Sequence, residues 1–140
     1  MGVDMSEKEQ FLEWVRSRLR DAEEALHNGD AEPRLAIWSE NDPVTVFGAW
    51  KSANGQDEVR GLFRHLETTF SDCESYSLEI VAADVVGDMA YTVAYEHTAA
   101  SVGGEPRRYT LRATQIYRRE GGDWKVAHRH GDEVPEVQDS

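Results

Sequence analysis

The stretch from Met89 to His130, MAYTVAYEHTAASVGGEPRRYTLRATQIYRREGGDWKVAHRH, decides the fold. It holds three runs of alternating side chains, separated by Gly103-Gly104 and Gly121-Gly122. Period-two alternation sends odd and even residues to opposite faces of a sheet, and short Gly-containing links join neighbouring strands antiparallel. The spacing predicts strands at Met89 to Ala99, Arg107 to Arg119 and Asp123 to His130, preceded across Gly87-Asp88 by a fourth at Tyr76 to Val86. Fully extended, Arg107 to Arg119 would span about 40 Å, close to the width of a compact domain of this size. Such a strand must bend or bulge, so the sheet is expected to curl.

Upstream the period changes to that of helices. Ser6 and Glu9 form a capping box, and Phe11, Val15, Leu19, Ala22 and Leu26 recur at helical spacing until Asn28-Gly29. Asp30 caps a second, shorter helix that tolerates Pro33 in its first turn and carries Leu35, Ile37 and Trp38. Asn41-Asp42-Pro43 ends it, and a strand is expected from Val44 to about Trp50. After Asn54-Gly55, Asp57 caps a third helix whose Val59, Leu62, Phe63, Leu66 and Phe70 make one apolar stripe. Helices first and antiparallel strands afterwards indicate the α+β class. The expected architecture is a strongly curved antiparallel sheet wrapped around three N-terminal helices, a cone-shaped α+β barrel. One domain over residues 1–132 is expected, with a disordered acidic tail at 133–140.

Lys and Arg number 15 against 27 Asp and Glu, a formal charge of −12 that repels nucleic acid and anionic membranes. Neither is expected as a partner. Cys73 stands alone and no run is long or apolar enough for a membrane span, so a cytoplasmic protein is expected. Gly2 with Ser6 matches the short myristoylation pattern and is read as coincidence. No G-x-S-x-G and no phosphate-cradling glycine loop occurs, so neither covalent catalysis nor a cofactor is indicated.

With tight turns, strand pairing puts Tyr91, Val93, Tyr95 and His97 on one face with Leu78, Ile80, Arg112, Thr114, Ile116, Ala127 and Arg129. The other face carries Ala90, Thr92, Ala94, Leu111, Ala113, Gln115, Tyr117, Trp124, Val126, His128 and His130, together with Val81, Ala83 and Val85. One bulge in the long strand would exchange inward and outward residues beyond it. Neither face is polar enough for water and the helices cover only one, so a homodimer through the other is expected.

Arg112 and Arg129 lie among tyrosines and aliphatics, and a buried guanidinium needs an anion or carbonyl. The two therefore mark a ligand site, with Tyr95 as a hydrogen-bond donor, unless Glu24, Glu58, Asp84 or another helix acid pairs with them structurally. Trp38, Phe47 and Trp50 cluster where the second helix and first strand meet. Phe47 reads as core, whereas Trp50 either completes the core or walls the pocket. His65 and His97 are the candidate acid or base groups, although His65 reads first as a partly exposed helix histidine. His128 and His130, two apart on one strand, have metal-ligand spacing, but only Gln115 and Glu96 stand near, so structural histidines are favoured and no metal is expected.

Asn28-Gly29-Asp30, Asp42-Pro43-Val44-Thr45-Val46-Phe47, Ala90-Tyr91 and Tyr117-Arg118-Arg119-Glu120-Gly121 running on to Trp124 and His128-Arg129-His130 carry a resemblance over nearly the whole chain. The chain resembles the SnoaL-like (polyketide cyclase and ketosteroid isomerase-like) branch of the nuclear-transport-factor-two-like superfamily. Its end also resembles the association domain of calcium/calmodulin-dependent kinase. The resemblance implies a cone closed by helices, a pocket at the wide end, frequent dimerisation, and functions from isomerase, cyclase and dehydratase to scaffolding. Isomerase-like members keep an acidic base on the strand that here reads Val44 to Gly48. Phe47 stands near that place and no Asp or Glu lies between Val44 and Trp50, which argues against ketosteroid-type proton abstraction. Association-domain members line the pocket with arginines from the middle strands, where this chain has Val93 and Thr114. Two functions remain open: a cofactor-independent isomerase or lyase for a carbonyl or acidic metabolite, or a non-catalytic association or ligand-binding module.

Overall fold

A computed structural model describes residues 5–134. Helix α1 covers 7–27, α-helical over Glu7–Trp14 and Arg20–His27 with one wider π turn at Val15–Leu19. Ser6 Oγ accepts the Glu9 N–H at 3.1 Å, as the capping box requires, and all five residues of the apolar stripe are buried. Helix α2, Glu32–Ile37, starts one residue later than expected, yet Asp30 Oδ1 still accepts the Glu32 N–H at 3.0 Å. Glu67 Oε2, from the next helix, takes the Ala31 N–H at 2.9 Å, so the short helix is satisfied at its start from two sides. Helix α3 is Gln56–Thr69. Gly55 rather than Asp57 occupies its cap, where φ is 87°, and Phe70 leaves the helix to begin a strand.

Six strands form one curved, unclosed sheet: β1 Thr45–Phe47, β2 Ser52–Asn54, β3 Phe70–Val86, β4 Met89–Val102, β5 Glu105–Glu120 and β6 Asp123–Glu133, in the order β2-β1-β6-β5-β4-β3. All neighbours are antiparallel except β1 and β6. The strand expected from Val44 to about Trp50 covers only Thr45–Phe47, because the Gly48 N–H bonds the Lys51 carbonyl at 2.8 Å and folds the chain back into a second short strand at Ser52–Asn54. A Cβ on Gly48 would meet that carbonyl at 2.6 Å, so only glycine fits this turn. Strand β6 reaches Glu133, beyond the expected end at His130 and into the segment read as tail. The rest of that tail, 135–140, and the myristoylation pattern at Gly2 lie outside the described residues.

Two bulges decide which side chains face the helices. Ile116 pairs with His128 and Tyr117 with Val126, leaving Ala127 as the extra residue in β6. Trp124 and Val126 before it, and Arg129 and Gly131 after it, are therefore all buried, while His130 is exposed and His128 is only partly covered. In β3, Ile80 pairs with Ala94 and Ala82 with Val93, so Val81 bulges and Leu78 and Ile80 turn onto the core. The inner face thus carries Ala90, Thr92, Ala94, Glu96, Thr98, Leu111, Ala113, Gln115 and Tyr117, all buried. Tyr91, Val93, Tyr95, His97, Arg112, Thr114 and Ile116 lie on the outer face. The expected sharing of one face by Arg112 and Arg129 is overturned by the bulge at Ala127, which lies in the strand beside the long one.

At one end of the cone the core is solid. Phe11 is fully buried, edge-on to Tyr117 at 4.9 Å and to Trp124 at 5.1 Å. At the other end, where the inner face of β4 and β5 runs past α1 and α3, the packing opens. No described helix is long and apolar enough to cross a membrane.

Candidate functional site

The open end holds a cavity of about 250 Å³. Leu62, Phe63 and Leu66 of α3 form one wall, and Thr98, Val102, Tyr109 and Leu111 of β4 and β5 the other. The β1–β2 turn, with Trp50 and Lys51, borders the cavity, and Glu23, His27, Arg34, Glu96 and Arg129 make its polar floor. The floor residues are all buried, and four of them carry charge-bearing groups.

Arg129 forks onto Glu96, Nη1 donating to Oε2 at 2.8 Å and Nη2 to Oε1 at 2.5 Å. Nη1 also reaches Gln115 Oε1 at 3.3 Å, and Tyr76 Oη donates to Glu96 Oε2 at 3.0 Å. Behind them Gln115 Nε2 donates to Tyr117 Oη at 2.7 Å, and that hydroxyl shares a 2.7 Å bond with Thr92 Oγ1. Burial pushes the Glu96 carboxyl upward, but the attraction and hydrogen bonds of Arg129, with help from Arg34, bring it down to about 2. Burial likewise opposes the charge on Arg129, and Glu96 more than restores it. Both members of this pair are ionised, and each satisfies the other.

The second floor pair is looser. Arg34 Nε lies 3.3 Å from Glu23 Oε1 without hydrogen-bond alignment, and neither atom has another partner among the described residues. The Arg34 guanidinium also lies over the Phe63 ring, 4.5 Å from its centroid. A buried acceptor and donor with unmet demand line one cavity, and a carbonyl or hydroxyl group could meet them.

His27 completes the floor. A carbonyl oxygen can only accept, so the 2.6 Å contact from Nδ1 to the Glu23 carbonyl places the proton on Nδ1. Nε2 then accepts from Tyr109 Oη at 3.1 Å. Burial lowers the His27 pKa and raises that of Tyr109, so the pair holds a neutral imidazole, its Nε2 lone pair directed at a protonated phenol.

Of the residues singled out from sequence, Arg129 lies in the floor and Trp50 and His65 line the cavity, Trp50 being 49% exposed. Arg112, Tyr95 and His97 do not join them. Arg112 is on the outer face in a two-pronged pair with Asp132, Nε to Oδ1 at 2.9 Å, and its side chain is 46% exposed. Tyr95 stacks on His97, which bonds Thr110 and Glu79, each at 3.0 Å. Phe47, read as core, is exposed and sits edge-on to both His128 and His130. His128 Nδ1 meets Thr45 Oγ1 at 2.7 Å, and no group of three or more His, Cys, Asp or Glu among the described residues could hold a metal.

The acid partners of the arginines are strand residues Glu96 and Asp132, not the acids first considered. Glu23, His27, Arg34 and Tyr109 escaped the sequence reading altogether. Their signal is Glu23 and His27 at i and i+4, each one step past the apolar positions Ala22 and Leu26, and hence on one side of the buried stripe.

Residues 15–134 match the family model described as a SnoaL-like domain, and the chain belongs to that family. Its fold is similar to that of a candidate calcium/calmodulin-dependent protein kinase type II association domain from Thiobacillus denitrificans, with TM-score 0.71 and 21% identity over 88% of this chain and 94% of that one. It is also similar to a candidate dehydratase of the NTF2-like family from Streptomyces avermitilis, with TM-score 0.70 and 19% identity over 91% and 98%. A candidate ketosteroid isomerase from Parabacteroides distasonis gives TM-score 0.66 and 14% identity over 95% and 92%. At these identities the likeness shows the fold alone. No curated protein matched the chain.

Proposed function

We propose that this SnoaL-like chain seats a compact carbonyl or hydroxyl compound in the open end of its cone and acts on it there, without a cofactor, as an isomerase or lyase. The observation that carries the reading is the floor of the cavity, where Glu23 Oε1 and Arg34 Nε have no hydrogen-bond partner among the described residues, beside the neutral His27–Tyr109 pair. A cavity of about 150 Å³ accepts benzene, so one of about 250 Å³ takes a larger body. In the proposed step the Tyr109 hydroxyl turns from His27 Nε2 to the carbonyl oxygen of the substrate, and the freed Nε2 removes a proton from the carbon next to the carbonyl. The electron pair moves onto the carbonyl oxygen, which Tyr109 Oη or Arg34 Nε stabilises by donating a hydrogen bond; it then flows back either to take the proton from His27 at another carbon, or to expel a leaving group on the next carbon, which departs with the proton from His27. His65 lines the cavity from its exposed position on α3, and His97 lies on the outer face, so His27 replaces both as the base.

The test is a thermal-shift screen of small ketones and hydroxy acids, followed by NMR in D₂O on any compound that binds. Deuterium should enter beside the carbonyl with the natural protein and not with His27→Gln, while binding survives. Binding without His27-dependent exchange would instead support the non-catalytic association or ligand-binding module, a reading favoured by the complete mutual satisfaction of Arg129 and Glu96.

The proposal includes a homodimer through the outer sheet face, where Met89, Tyr91, Val93 and Ile116 are all exposed. A light-scattering mass of one chain at micromolar concentration would remove that part. It also takes the chain through the end of β6 at Glu133 as one domain, in a cytoplasmic protein whose single cysteine demands no oxidising compartment.

A further inference from the structure

We propose that the mouth of the cavity holds an anionic headgroup, so that the ligand is an amphipathic carboxylate whose apolar body points inward and whose acid stays between Arg107 and Lys51. This rests on the cavity being a small-molecule site, and it names the class and the orientation of what binds. On a chain of formal charge −12, four guanidinium or ammonium groups line the cavity against two carboxylates. The two deep cations are committed to buried ion pairs, Arg129 to Glu96 with full hydrogen bonding and Arg34 to Glu23 with its Nε–H still unbonded. The two at the mouth are not. Lys51 has no ion pair among the described residues, and Arg107 has a single one, to Glu133 at 4.0 Å with both side chains about half exposed.

The surroundings of Arg107 suit an aryl or alicyclic acid. Its guanidinium lies 5.9 Å from the centroids of both Trp50 and Tyr109, whose rings meet edge-on at 5.6 Å. A carboxylate can take the fork of the guanidinium while its body enters past the same rings. The floor, by contrast, would set an entering acid against Glu23 and Glu96, at a site whose cations are already neutralised. Recognition of the acid has thus moved from the floor, where Arg129 first suggested it, to the rim, where a local excess of positive charge on an acidic protein also steers an anion inward.

The test compares 2-naphthoate with 2-naphthalenemethanol by titration calorimetry at low salt, for the natural protein and for the double variant Arg107→Gln, Lys51→Gln, whose fold is checked by circular dichroism. The acid should bind at least about tenfold more tightly than the alcohol, and the preference should shrink in raised salt. In the double variant the preference should vanish while affinity for the alcohol is kept. Equal binding of both probes to the natural protein would overturn the anion assignment and leave the cavity reading intact. A preference that survives in the double variant would place the acid on the floor and overturn the mouth assignment. Failure of both probes to bind would overturn the cavity reading and this inference with it.

Discussion

Replacing Glu96 with Gln removes the charge that Arg129 faces while keeping the volume of the side chain. In the natural protein Glu96 is 3% exposed and accepts two N–H bonds from Arg129 and the Tyr76 hydroxyl. Removing one member of such a pair leaves a buried, uncompensated charge and costs about 3–5 kcal/mol. The lowered pKa gives a similar magnitude: a fall from the usual 4.5 to about 2 corresponds to ~3 kcal/mol favouring the ionised form in the fold. Because the folded value is the depressed one, this contribution is present above the ordinary carboxylate pKa and is lost as pH falls from there toward about 2. Urea unfolding followed by circular dichroism should therefore show the variant about 3 kcal/mol less stable at neutral pH, with the gap closing steadily in acid. A second variant, Glu96→Met with Arg129→Met, should recover most of the loss, since no unpaired charge remains. A neutral-pH difference below about 1 kcal/mol, or one that does not depend on pH, would refute the reasoning.

Other substitutions separate the cone from its surface. Arg112→Ala should leave both the urea midpoint and 2-naphthoate affinity essentially unchanged, because its pair with Asp132 is half exposed on the outer face. Phe11→Ala, at a fully buried ring packed on Tyr117 and Trp124, should cost about 3–5 kcal/mol in the same urea assay. Gly29→Ala should lower thermal stability by about 1–3 kcal/mol, since φ is +86° there and a Cβ would stand 3.2 Å from the Glu67 carbonyl.

The elements were legible because each has a local cause. Ser6 with Glu9 starts a helix, the stripe from Phe11 to Leu26 sustains it, and paired glycines at 103–104 and 121–122 close the meander. What escaped is the parity of the sheet. A bulge adds one residue and reverses the face of everything beyond it, yet Ala127 is small enough to suit either side and leaves no break in the pattern Val126-Ala-His-Arg-His130. Arg129 and Arg112, two cations of one apparent face, were parted for that reason. The turn at Gly48 escaped because Val44 to Trp50 is apolar but for Thr45 and Gly48, and a single glycine in such a run is consistent with either a continuous strand or a turn. Glu23, Glu96 and Arg34 escaped because charged residues are placed outside by default, and their burial follows only from the partners that the fold supplies.

The most direct measurement is anomalous scattering from crystals soaked in 6-bromo-2-naphthoate. The account predicts a bromine peak inside the cone, below Trp50 and against Phe63 and Leu111, with carboxylate density toward Arg107. Peaks confined to the outer sheet face beside Tyr91 and Val93, or a cone interior that admits no bromine, would contradict it.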